Sequence, residues 1–175
     1  MTDDITIRPE RPDDVQAIHD LVREAFGREL EADVVAKLRE SAGFLADLSL
    51  VAVRDSQVVG HIMITELDYP SDAGGRVQST ILAPLAVLPH FQNQGIGDAL
   101  SRVALERTKE AGYGSMILVG HPNYYPRFGF RPASNWGIRY ATPIPDDVFM
   151  AVELVPGSLD DAAGTVILPS AFDEA

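Results

Sequence analysis

One stretch constrains this chain more than any other. Residues 79–111 read as a strand, a glycine turn and a long helix in direct succession. Residues 81–91 form a nearly continuous apolar run rich in branched side chains, the pattern of a strand buried on both faces. Residues 92–97 are the turn, and residues 98–111 continue as a helix whose apolar positions Ile96, Ala99, Leu100, Val103 and Ala104 keep helical spacing. A helix start leaves backbone N–H groups unpaired and carries a partial positive charge. Gly95 and Gly97 remove the side chains that would hold a ligand away from those groups. The stretch therefore reads as an anion site for a phosphate or pyrophosphate.

Two familiar phosphate loops fail here. A P-loop needs Lys and then Ser or Thr after its second glycine, and this chain has Asp98 and Ala99. A dinucleotide fingerprint needs Gly or Ala where this chain has Leu100. What remains is Gln-x-x-Gly-x-Gly directly after a buried strand, with plain turn chemistry as the competing explanation of the two glycines.

Charge narrows the partners. The formal net charge is −12, with Lys37 and Lys109 as the only lysines. Nucleic acid and anionic membranes both demand a basic surface, so neither is expected as a partner. The absence of cysteine removes disulfides and any thiolate nucleophile and fits a cytoplasmic protein. No signal peptide is apparent at the start of the sequence and no apolar run reaches the roughly 20 residues of a membrane helix. His19, His61, His90 and His121 show no ligand spacing, so no metal site is expected.

In chain order, residues 5–8 alternate as a short strand, and Pro12 opens a helix with Asp13 and Asp14 in its first turn. Its buried face is predicted as Val15, Ile18, Val22, Ala25 and Phe26, and Gly27 ends it. A second helix is predicted over residues 29–40, and a hairpin over 48–54 and 58–67, with its turn at 55–57. Residues 69–75 read as a loop. After the central helix come strands at 115–119, 148–155 and 164–168. With no repeat and no linker, residues 1–175 are expected to form a single domain of α/β class around a mixed sheet.

The Gln92–x–x–Gly95–x–Gly97 loop resembles that of the GCN5-related N-acetyltransferases. Tyr125, Gly129 and Phe130 match a second signature of that superfamily, Tyr-x-x-x-Gly-Phe, in the right place after the following strand. The wording of residues 84–87 and 120–132 is similar to the bacterial YhbS-like predicted N-acetyltransferases. The resemblance covers nearly the whole chain. It implies a mixed, mostly antiparallel central sheet flanked by helices, and acetyl-CoA as cosubstrate. It also implies that backbone groups of Leu85, Ala86 and Val87 pair with the pantetheine arm, with the Val87 N–H as oxyanion donor. The loop residues Gln92, Asn93, Gln94, Gly95, Ile96, Gly97 and Asp98 would hold the pyrophosphate. Tyr125 would protonate the departing thiolate. Many family members carry an Asn that touches CoA about seven residues before this Tyr; here Asn123 is the candidate for that contact, but it precedes the Tyr by only two, and Pro122 and Pro126 shorten the local helix to about a turn.

Without cysteine, direct attack of an amine on the thioester is the simplest route. The general base is left open between Glu66, near a strand end, and His121, whose imidazole titrates in the useful range. Two readings stand side by side: an N-acetyltransferase for a small-molecule or protein amine, and an inactive acyl-CoA-binding sensor of the same fold. Residues 26–38, 69–75 and 134–145 are expected to build the substrate pocket, with Trp136 a candidate lining residue. A homodimer is common in the family.

Overall fold

The structure is a computed structural model that describes residues 4–173. The strands are β1 (Thr6–Pro9), β2 (Phe44–Arg54), β3 (Gln57–Pro70), β4 (Arg76–Val87), β5 (Ser115–Val119), β6 (Arg131–Pro132), β7 (Ile138–Tyr140), β8 (Phe149–Glu153) and β9 (Gly164–Val166). The helices are α1 (Val15–Phe26), α2 (Leu30–Arg39) and α3 (Ile96–Glu110). A seven-stranded sheet has the order β1-β2-β3-β4-β5-β8-β6, and β7 pairs with β9 in a second, two-stranded sheet. Within the large sheet only β4 and β5 run parallel, so it is mixed and mostly antiparallel, as the sequence implied.

Alternation along the strands divides the core between two faces. Leu50, Ile62 and Ile64 pack with Ile96 and Leu100 of α3. Val51, Met63 and Ala86 point the other way, against Ile18, Val22 and Leu38 of α1 and α2. Gly60 lets α3 dock closely: a Cβ there would lie 2.9 Å from Leu100 Cδ1 and 3.1 Å from Ile96 Cγ2.

Several boundaries differ from the sequence-based expectation. The central strand spans 76–87 rather than 81–91, because Pro89 starts a 3-10 turn, Pro89–Phe91, after Val87. Tyr69 and Pro70 belong to β3, so only residues 71–75 form the turn to β4. Tyr69 is drawn in because its ring is buried and its hydroxyl donates to the Ala162 carbonyl at 2.8 Å. Val15 and Phe26, expected in the core, are 37% and 42% exposed, and Leu21 takes their place. Asp14 does more than favour the helix dipole: its carboxylate accepts from both Arg8 guanidinium nitrogens, at 2.6 and 3.1 Å, and from the Arg11 N–H at 2.7 Å. These bonds tie β1 to α1 and hold the Asp14 carboxyl below its ordinary range.

His61 on β3 is fully buried on the α1/α2 side, its Nε2 3.0 Å from Ser49 Oγ and its Nδ1 without a partner among the described residues. Burial, and secondarily the Arg39 charge, push its pKa down to about 3. The unfolded chain therefore binds a proton near pH 6.5 that the folded chain refuses, so stability is full above that pH and falls below it. The expected loss is about 2 kcal/mol by pH 5, or roughly 4–8 °C in Tm. Thermal unfolding between pH 7.5 and 5 checks this, and His61→Gln should flatten the slope.

Candidate active site

The site is built where β4 and β5 part. Their single registered pair is Ile81 with Ile117. Beyond it β4 carries a bulge: residues 83 and 84 oppose one residue of β3, between the pairs Ile64–Leu82 and Ile62–Leu85. The strands then diverge as a wedge.

Hydrogen-bond phase decides which backbone groups face that wedge. The Leu88 N–H donates to the Val59 carbonyl at 2.9 Å, which makes the facing residues Gly60 and Val87 a pair that does not exchange hydrogen bonds. By alternation Ala86 bonds to His61 of β3, whereas the N–H groups of Leu85 and Val87 point away from β3, toward β5. Ala86 thus departs from the role expected for it: its backbone is spent on the ladder, and its side chain is buried against α1 and α2. The Val87 carbonyl accepts from Gln92 Nε2 at 3.0 Å, so that glutamine pins the loop to the end of β4. Gln94 likewise donates to the His90 carbonyl at 2.9 Å.

The loop itself is an open cradle. Asn93 and Gly95 have φ of +61° and +85°, and Gly95 is the N-cap of α3. Such angles turn successive N–H groups to one side. Among the described residues, no backbone or side-chain group accepts from the N–H groups of residues 93–98. They border a cavity of about 760 Å³ lined also by Leu85, Val87, His121, Tyr124 and Arg127.

Asp98 puts a carboxylate in this anion cradle, and the structure offsets it. Tyr124 donates its hydroxyl to Asp98 Oδ1 at 2.8 Å, and Arg127 Nη1 lies 3.4 Å from Oδ2. The Arg127 guanidinium sits 4.4 Å over the Tyr124 ring. Burial and the Asp98 bond push the Tyr124 hydroxyl up. Tyr124 and Arg127 belong to neither sequence signature as fixed positions, although both lie within the family-like residues 120–132.

Tyr125 starts a 3-10 turn, Tyr125–Phe128, the shortened helix that the two prolines imply. Its ring packs edge-on against Tyr124 and Phe130, and burial pushes its hydroxyl up to about 12. Gly120, directly after β5, makes room: a Cβ there would lie 2.4 Å from Tyr125 Cε2.

The two base candidates are not brought together. Glu66 pairs with Thr80, about 15 Å along the strand from Leu85. It accepts from the Tyr113 hydroxyl at 3.4 Å and lines a different cavity, so it departs from the position a base would need. His121 is exposed and lines the loop cavity. Asn123 is exposed and outside that lining. On the other side of the wedge, Ala83 of β4 and Val119 of β5 open into a second cavity of about 550 Å³, closed by residues 140–144 and 167–173. Of the stretches expected to form a substrate pocket, only part of the last contributes, and Trp136 packs instead with the core beneath β8. Among the described residues, no helix is long and apolar enough to cross a membrane, and no cluster of three or more His, Cys, Asp or Glu could hold a metal ion.

Comparison with known proteins converges on one family. The sequence model of the acetyltransferase (GNAT) domain matches residues 6–133. The chain is 37% identical to the uncharacterized N-acetyltransferase YjhQ of Escherichia coli K12 over 135 residues, 77% of this chain and 74% of that protein. It is 35% identical to the uncharacterized N-acetyltransferase YhbS of the same strain over 161 residues, 91% and 93% of the two chains. The crystal structure of Escherichia coli YhbS in complex with CoA superposes with a TM-score of 0.88 at 31% identity, covering 97% of this chain and 92% of that one. A Brucella melitensis GNAT family acetyltransferase in complex with acetyl-CoA gives 0.77 at 31% identity, over 97% and 98%. With the free N–H cradle and the parted strands in place, these matches establish that the chain belongs to the GNAT acetyltransferase family.

Proposed function

We propose that the chain is an acetyl-CoA-dependent N-acetyltransferase that works by direct attack of a primary amine. The observation that carries this reading is two sets of unpaired N–H groups bordering one cavity, Leu85 and Val87 at the wedge and residues 93–98 at the start of α3. Unpaired backbone donors are costly to leave without partners, and these sets suit a pantetheine amide chain ending in a pyrophosphate. Homologues solved with CoA and acetyl-CoA support the same ligand.

Acetyl-CoA would supply the acetyl thioester. The Leu85 and Val87 N–H groups would orient the arm and the acyl carbonyl, and the loop N–H groups would take the pyrophosphate. The amine nitrogen forms the new C–N bond as the C–S bond breaks, and one proton passes in net terms from nitrogen to sulfur. Tyr125 holds its proton throughout the neutral range. A complete transfer from a phenol near 12 to a thiolate near 8.5 is uphill by roughly 5 kcal/mol, so Tyr125 serves better as a hydrogen-bond donor to the leaving sulfur than as a free proton source. A second reading, a CoA-binding sensor without catalysis, is favoured by one observation: Glu66 stands far from the wedge.

Titration with acetyl-CoA, with ATP and NAD as controls, tests the ligand. At about 100 times Kd the expected stabilisation is about 2.7 kcal/mol, a Tm rise of roughly 5–11 °C. Thiol release in the presence of amines then separates enzyme from sensor. Tyr125→Phe should lower kcat at least about tenfold with the acetyl-CoA shift retained. Gly120→Ala should act in the same direction, since its Cβ must displace the Tyr125 ring. If no side chain takes the amine proton, kcat/KM should rise about tenfold per pH unit up to the pKa of the amine itself. A His121→Ala variant that lowers kcat/KM at neutral pH with the acetyl-CoA shift retained would instead make His121 the base.

A further inference from the structure

The two cavities that flank the wedge differ in chemistry. The loop cavity has Asp98, His121 and Arg127 in its wall. The second cavity is walled by Ala83, Val119, Ile144, Ile167, Leu168 and Phe172, among others, and among the described residues the only charged side chain in its lining is Asp173, which is exposed. Val119 and Ile167, 46% and 68% exposed, carry the apolar character of the wall out to its rim. The chain has 26 acidic residues, yet they are not gathered here. A polyamine or a lysine-rich peptide tail would bring several charges to a wall whose described residues offer one carboxylate, and burying unpaired charge is costly. The volume, about 550 Å³, is that of a small-molecule site rather than of a groove for a protein segment.

The geometry points to an acceptor that is a small primary amine on an apolar body, with the amino group at the mouth between Ala83 and Val119 and the body in this cavity. This assignment rests on the transferase reading of the wedge. It also gives the amine a route to its neutral form that needs neither Glu66 nor His121. An apolar wall penalises the ammonium ion and favours the neutral amine, which is the nucleophile. The ammonium proton is left in water as the amine enters. The neutral nitrogen then attacks the acyl carbon, the C–S bond breaks, and the remaining proton in excess on nitrogen ends on the thiol. Val119 and Ile167 are the residues that such a body would cover.

Thiol release from acetyl-CoA, measured with phenethylamine, isoamylamine, spermidine and a lysine-containing peptide, tests the assignment. The expected result is a kcat/KM at least tenfold higher for the two apolar amines. Ile167→Lys and Val119→Lys, both at exposed positions where folding is not at stake, should raise KM for those amines about tenfold and leave the acetyl-CoA thermal shift intact. Preference for spermidine or the peptide, or variants without effect on KM, would overturn the apolar acceptor site and leave the transferase standing. An intact acetyl-CoA shift with no thiol release from any amine would overturn the transferase reading, and the acceptor assignment with it.

Discussion

Everything functional in this fold depends on β4 leaving β5 after a single registered pair. A parallel ladder continued to Val87 would have consumed the N–H groups of Leu85 and Val87 and closed the sheet. Instead, the bulge at residues 83 and 84 turns the strand, and the ladder with β3 alone holds it. The result is a row of oriented donors on a rigid element. Such a row is stable because the other face of β4 and its neighbour β3 are buried on both sides, by α3 and by the α1/α2 pair.

The glycine loop extends that row, and charge is managed at its end. Asp98 satisfies the general preference for an acid in the first turn of a helix, but an uncompensated carboxylate would repel a phosphate from the same N–H groups. Tyr124 and Arg127, from the segment after β5, neutralise it and thereby lock that segment to α3. The same contact seats Tyr125 beside Gly120, directly after β5, with its ring in the core. One cluster thus couples the cofactor loop to the proposed hydrogen-bond donor for the leaving group.

The division of polarity between the two cavities gives the chemistry a direction. Phosphate needs donors and tolerated counter-charge, which the loop side offers. An amine must lose a proton before it attacks, and an apolar wall promotes that loss without a dedicated base. The C-terminal residues matter for this reason. Residues 167–173 close the second cavity, proposed here for the acceptor, and Ala171 anchors them in the α1/α2 core.

The sequence by itself determined the central motif, the family resemblance and the mixed sheet, because these rest on local order. An apolar run, two glycines and a helical repeat stand next to each other in the chain, and the Tyr125–Gly129–Phe130 spacing is equally local. Exposure of Val15 and Phe26, the extension of β3 through Tyr69 and the burial of His61 were decided by partners distant in sequence, such as Ala162 and Arg39. The site shows the same split. Gly95 and Gly97 announce a cradle in one dimension. Only strand phase reveals that Leu85 and Val87 face the wedge while Ala86 does not, and only register takes Glu66 away from it. The second cavity carries no linear signature at all, since its wall is gathered from β4, β5 and two later stretches. Tertiary structure alone brings those pieces together, because apolar side chains report that they are buried or covered and not by what.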